Sequence, residues 1–125
     1  MQGLTLDAGA LIGLERSSRR VIALLARAEE VGAELIVPAP VIAHVARNPA
    51  RQVRLMRLLR QPACRSVALD RADATLVGRL LAATGTSDIA DGHVAICATR
   101  SGYVVVTSDP DDLRRLAPEI ALIEV

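Results

Sequence analysis

Tyr103-Val104-Val105-Val106-Thr107-Ser108-Asp109 is an apolar run closed by an acid, and its reading decides the fold. A short unbroken row of β-branched residues suits a strand buried on both faces of a sheet. The row follows a helix-like stretch that opens at Asp88 and ends at Ser101-Gly102. A short helix-like segment, Asp111 to Leu116, comes after it and is stopped by Pro118. Leu4-Thr5-Leu6 ends in Asp7 in the same manner. Strand and helix signals that alternate in this way point to a parallel sheet covered by helices. The expected class is α/β, a three-layer α/β/α sandwich with a central, mainly parallel sheet. At 125 residues the chain is expected to be a single domain, 1–125.

Working outward, Gly3 to Asp7 reads as a buried first strand and Ala8 to Arg16 as a short helix. Ser17 or Ser18 caps a second helix to Val31, with Val21, Leu24, Leu25 and Ala28 at helical spacing and Gly32 as its stop. Glu34 to Val37 is a strand, Pro38-Ala39-Pro40 opens a helix to Arg47, and Pro49 starts another to Leu59 or Arg60. Ser66 to Leu69 reads as a strand. Asp70 caps a helix to Thr84 with Leu76, Val77, Leu80 and Leu81 inward. Tyr103 to Thr107, the most apolar strand, is expected at the centre, and Ile120 to Ile123 as the last strand.

Composition excludes several functions. There is no Phe or Trp and only one Tyr, so bases cannot be captured on stacked aromatic side chains. All 15 basic Lys and Arg positions are Arg, which removes any mechanism that needs a lysine. Cys64 and Cys97 form no CxxC or disulfide framework, and Met1-Gln2-Gly3 leads straight into a strand. An intracellular, cytoplasmic protein with no membrane span is therefore expected. Charge is unevenly distributed. Leu35 to Leu69 holds six arginines and no acid, whereas Thr86 to Val125 holds seven acids and three arginines. Acids in one region and arginines in another fit a metal site beside a phosphate-binding surface. An ordinary solvated helix face is the alternative for Arg51, Arg54 and Arg57.

The acids carry the chemistry. Ligands of open parallel sheets bind outside the carboxyl ends of the strands, where Asp7 and Asp109 stand. Asp91 lies one turn inside a helix among Ile89, Ala90, Val94 and Ala95, where an unpaired carboxylate is costly. Each has a structural alternative: Asp7, Asp88 and Asp109 all sit where helix caps are found. Taken together, three carboxylates meeting at strand ends would repel one another unless a cation were shared. Such oxygen-rich sites suit Mg²⁺ or Mn²⁺. Receiver domains and haloacid-dehalogenase-like phosphatases also use strand-end aspartates, but they require a lysine. Metal-dependent nucleases do not.

Three stretches carry a resemblance. Leu4-Thr5-Leu6-Asp7-Ala8-Gly9-Ala10-Leu11-Ile12 resembles the opening of PIN domains, and of the VapC toxins in particular. Asp91-Gly92-His93-Val94-Ala95-Ile96-Cys97-Ala98 is similar to their central motif. Val104-Val105-Val106-Thr107-Ser108-Asp109-Pro110-Asp111-Asp112-Leu113 is similar to their late strand and acidic turn. The resemblance covers nearly the whole chain. It implies a Mg²⁺- or Mn²⁺-dependent endoribonuclease that cleaves RNA such as tRNA or rRNA by metal-activated water. It further implies the toxin of a toxin–antitoxin pair, a homodimer, and an antitoxin partner that occupies the active site. Asp7, Asp91 and Asp109 match the family's acidic metal positions, Asp112 matches a secondary one, and Asp88 is an additional acid nearby.

Two departures stand out. Where the family usually has a glutamate after the second strand, this chain has His44. The imidazole favours Mn²⁺ over Mg²⁺ and supplies no negative charge. Either it serves as a ligand, or Glu15 on the first helix substitutes, or the site is impaired. The last outcome gives the competing reading, a PIN-like binding module that acts through RNA or a protein partner. Gly9 stands where the family often has a hydroxyl residue. His93, two residues beyond Asp91, points away from it on a helix and reads as a structural side chain. Arg51, Arg54 and Arg57 are the candidate contacts to the RNA backbone.

Overall fold

Five parallel strands form one sheet in the order β3-β2-β1-β4-β5 in a computed structural model that describes residues 1–125. The strands are β1 (Gly3–Leu6), β2 (Glu34–Pro38), β3 (Cys64–Val67), β4 (Val104–Thr107) and β5 (Leu122–Glu124). The helices are α1 (Ala8–Glu15), α2 (Arg19–Glu30), α3 (Ala39–Val45), α4 (Val53–Arg60), α5 (Arg71–Thr84), α6 (Ile89–Ser101) and α7 (Pro110–Leu116). Helices α1, α2 and α4 pack together as one layer, and α5, α6 and α7 as the other. Short α3 touches both α1 and α6. The three-layer α/β/α sandwich read from the sequence is the observed fold, with every strand pairing parallel.

The chain runs outward from β1 through β2 to β3, crosses back to β4 beside β1, and finishes at β5. The strand order therefore reverses between β1 and β4, and a crevice opens beyond their carboxyl ends. Every residue of β1 is buried, as a strand with a neighbour on each side and a helical layer on each face must be. The aliphatic core runs through Leu4, Leu6, Leu11, Val37, Val41, Leu55, Val94 and Val106, all nearly inaccessible to water.

Several sequence-read boundaries shift, each for an identifiable reason. β1, not β4, is the central strand, because β5 adds outside β4 and only two strands add outside β1 on the other side. α4 begins at Val53, not at Pro49. The buried Gln52 side chain accepts hydrogen bonds from Arg47 N (2.8 Å) and Asn48 N (3.1 Å) and donates to Val45 O (2.9 Å). That network folds residues 48–51 into a turn closed by Arg51 N donating to Asn48 O. β3 begins at Cys64 and ends at Val67, because Leu35 pairs with Cys64 and the facing Pro38 has no N–H to extend the ladder. β5 starts at Leu122, since Ile120 N donates to Ala117 O in a turn. Leu76 on α5 is 42% exposed, not inward. The inward position one turn earlier belongs to Asp73, 5% exposed.

Candidate functional site

Asp7 closes β1 and becomes the N-cap of α1, its Oδ1 accepting from Ala10 N at 3.0 Å. Its own N–H donates to Val106 O, which fixes it beside the end of β4. Asp109 follows β4 across the crevice, and its N–H donates to Thr107 Oγ1 at 2.9 Å. The buried Thr107 hydroxyl also interacts with the Asp7 carboxylate, so it ties the two strand-end acids together. Asp88 caps α6, accepting from Asp91 N at 2.9 Å, which sets Asp91 in the first turn of that helix. Asp112 sits in the first turn of α7.

The electrostatics show that these acids face one another. Burial and the charges of Asp88, Asp7, Asp112 and Asp109 push the Asp91 carboxyl up to about 7. Burial raises Asp7, and the charge of Asp109 adds to it. The Thr107 hydroxyl and the N–H groups of Ala10 and Gly9 partly offset the rise. Asp112 is raised by sharing a hydrogen bond with Asp109 and by its charge. Thr86, Ser87, Asp88, Asp91, Asp112 and Arg115 border a polar cleft of about 300 Å³, with Arg115 the one cation on its wall. Asp88, Asp91 and Asp112 line this cleft with little positive charge to balance them, and Asp7 and Asp109 lie near enough for their charges to act on Asp91. An all-oxygen donor set with unbalanced negative charge fits a hard divalent cation.

The remaining sequence candidates are placed elsewhere. His44 is exposed on α3 and lines a shallow groove with Ser87, Asp88, Ile89 and Ala90, next to the acidic cleft. Glu15 lies at the far end of α1, roughly 12 Å from Asp7 by helical rise, and accepts from Gln52 Nε2 at 2.7 Å. The structure does not bring it to the carboxylates. Arg51 and Arg54 border a small hollow with Glu15, and Arg54 donates to Ser17 Oγ. Arg54 and Arg57 rim an apolar cleft of about 400 Å³ floored by Leu14, Leu25 and Leu58.

Sequence reading missed two features. Thr107 was taken only as a strand residue. The signal was present, since a hydroxyl two residues before a strand-end acid can reach both that acid's backbone and the neighbouring strand end. The second is a trio on the α5–α6 interface, in which Asp73 and His93 are buried and Arg100 is half-exposed. Wholly buried His93 places Nε2 at 2.8 Å from Asp73 Oδ2, and Arg100 Nη2 donates to Asp73 Oδ1 at 2.6 Å. His93 turns into the α5–α6 interface, where it meets Asp73.

Gly9 acquires a reason here. A Cβ at this position would lie 2.0 Å from Ser108 Oγ. Ser108 thus fills with its hydroxyl the space that a side chain at position 9 would take. Gly9→Ser should cost about 1–3 kcal/mol through overpacking, and Ser108→Gly in the same chain should recover most of it. Urea unfolding of the two variants checks this; equal stability of Gly9→Ser and wild type would refute it.

A family model described as PIN domain matches residues 4–118 of the chain. A comparison with curated protein sequences finds no match. Among solved structures, the fold is similar to VapBC2 from Rickettsia felis bound to a promoter DNA fragment. That match has a TM-score of 0.74 at 14% identity and covers 98% of each chain. It is also similar to FitAcB from Neisseria gonorrhoeae, with a TM-score of 0.65 and 20% identity over 97% of this chain and 96% of that one. FitAB bound to the IR36 DNA fragment gives a TM-score of 0.67 at 18% identity, over 97% and 94%.

Proposed function

The chain belongs to the PIN-domain family, and on that premise we propose that it is a Mg²⁺- or Mn²⁺-dependent endoribonuclease, the toxin of a toxin–antitoxin pair. The observation that carries this reading is Asp91, held in the crevice against Asp7, Asp88, Asp109 and Asp112 and pushed up to about 7. Like charges held this close favour uptake of a cation, and without one Asp91 keeps its proton to about pH 7.

Asp7, Asp91 and Asp109 hold the cation, with Asp88 and Asp112 at its edge. When bound, the divalent ion supplies a water of lowered pKa and positive charge at the phosphate oxygens. The chain contributes rigidity. Asp7 is fixed by the first turn of α1, Asp91 by its Asp88 cap, and Asp109 by Thr107. Pre-placed ligands let an RNA phosphodiester meet the site without reorganisation. Cleavage of RNA by the purified chain with Mg²⁺, Mn²⁺ or EDTA is the direct test. No cleavage of total tRNA or rRNA with either ion, from folded protein, would sink the nuclease reading.

Arg51, Arg54 and Arg57 contact the RNA backbone in this reading, about the length of α1 away from Asp7. Arg51→Ala with Arg54→Ala is expected to weaken RNA binding several-fold and to flatten its salt dependence by roughly one to two phosphate contacts. Unchanged affinity and slope would remove these arginines from the RNA path. A cognate antitoxin blocks the acidic crevice in this reading. A homodimer, a single domain and a cytoplasmic location complete the proposal. No helix is long and apolar enough to cross a membrane.

His44 favours the second reading, a PIN-like binding module with impaired catalysis. It is exposed beside Asp88 where the family usually supplies a charge. His44→Glu separates the two. A gain of on the order of 10²-fold in cleavage would mark the native site as crippled, while a change within about threefold would show that the aspartates suffice.

A further inference from the structure

We propose that Asp73, His93 and Cys97 form a second cation site, suited to a thiophilic borderline ion of the zinc type. Their ligand atoms all lie within 4.8 Å of one another, and all three side chains are buried. No other three acidic, histidine or cysteine side chains come together as closely, the crevice carboxylates included. This inference does not depend on the nuclease reading.

The sequence builds the site simply. His93 and Cys97 are four residues apart on α6 and so share one face. Asp73 sits in the first turn of α5, which packs along α6. A tetrahedral ion with these donors holds neighbouring ligand atoms roughly 3.3–3.8 Å apart, so the widest pair closes by up to roughly an ångström while the His93 Nε2–Asp73 Oδ2 pair, at 2.8 Å, opens slightly. His93 Nδ1 has no hydrogen-bond partner although the ring is wholly buried. Buried polar atoms are nearly always satisfied. Binding an ion through Nε2 would therefore cost the ring only its bond to Asp73.

Charge and donor type decide the ion. Arg100 holds Asp73 Oδ1 at 2.6 Å and reaches Oδ2 more loosely at 3.3 Å, where His93 Nε2 also lies at 2.8 Å, so an ion at Oδ2 replaces the weaker guanidinium contact and keeps the stronger one at Oδ1. Cys97 loses its thiol proton to solvent as the metal–sulfur bond forms. A dication then meets one carboxylate and one thiolate and is neutralised. Thiolate and imidazole select zinc-like ions, whereas the crevice offers only oxygens and selects Mg²⁺ or Mn²⁺. Cys97 and Arg100 also border a cleft of about 250 Å³ with Arg65 and Tyr103, which brings solvent up to the cysteine side of the site. Cys97 is six residues beyond Asp91, roughly 9 Å along α6, so the two sites are separate. An ion here would lock α5 to the helix that carries Asp91.

Co²⁺ titration of metal-free Cys64→Ser tests this, because Cys97 is then the only thiol. The expected result is a sulfur-to-cobalt charge-transfer band that saturates at one equivalent, is abolished by Zn²⁺ and is unaffected by Mg²⁺. The same band should persist when Asp91→Asn is added. Absence of the band overturns the proposal, as does its removal by Mg²⁺ or its loss with Asp91→Asn. A band seen in wild type and lost in Cys64→Ser assigns the thiolate to Cys64 and also overturns it.

Discussion

Asp91→Asn is expected to lower metal-dependent RNA cleavage on the order of 10³-fold and, without metal, to make the protein more stable above neutral pH. The two effects share one cause. Burial of Asp91 first, and then the charges of Asp88, Asp7, Asp112 and Asp109, push its carboxyl up to about 7. The folded chain therefore keeps this proton up to about pH 7, while the unfolded chain releases it near 3.8. Stability from this group is complete below about pH 4 and is lost as pH rises through about 7. Asparagine carries no charge to repel, so the variant should gain about 2 kcal/mol over wild type above pH 7, after allowance for solvent screening. Below about pH 4 the gain should vanish. Saturating Mg²⁺ should erase the difference by stabilising wild type alone, about 2.7 kcal/mol at a hundredfold excess over Kd. Urea unfolding at pH 4, 6 and 8, with Mg²⁺ and with EDTA, measures all of this. A variant that cleaves normally, or one whose stability tracks wild type at every pH, would remove Asp91 from the metal site.

What the sequence revealed and what it hid follow a physical division. Asp7 and Asp109 were legible because an acid that ends an apolar run must emerge at a sheet's carboxyl edge, whatever the strand order. Asp91 was legible because its neighbours along the helix are apolar. The switch of strand order between β1 and β4, which brings Asp7 and Asp109 face to face, is not written in either strand. Glu15 was a reasonable candidate from its place on α1, but helical rise carries it to the opposite end from Asp7, where Gln52 engages it. Gln52 carries no signal of its own in the sequence. Its burial depends on Val45, Arg47 and Asn48 turning back over it, a long-range fact that moved α4 by a turn. The arginines were legible as a group by composition, while their clustering at the far end of α1 was not.

Asp73 shows the same division most clearly, and its removal should have the largest effect on stability. Apolar spacing on α5 favoured Leu76 as an inward residue. The helix is instead rotated so that Asp73 and Val77 are buried and Leu76 is exposed. A carboxylate takes this buried position because two donors from α6 wait for it. Asp73→Ala would leave His93 with neither ring nitrogen partnered in a site that water does not reach. Stranding a buried polar group costs about 1–3 kcal/mol, and the small cavity adds to it, so a loss of about 2–4 kcal/mol is expected. Arg100 contributes little to this, because its half-exposed side chain can turn to water. Asp73→Ala combined with His93→Leu should recover much of the loss, since the cost lies in the stranded ring and not in the missing bond. The pH dependence should have the opposite sign to that of Asp91. Hydrogen bonds from Arg100 and His93 hold the Asp73 carboxyl below its usual range, so its contribution is present above about pH 4 and is lost as pH falls through its folded value. Asp73→Ala should therefore cost most near neutral pH and least in acid, where wild type has also lost the pair. A single variant equal to wild type in urea, or a double variant no better than the single, would mean that α5 and α6 are held together by their apolar faces alone.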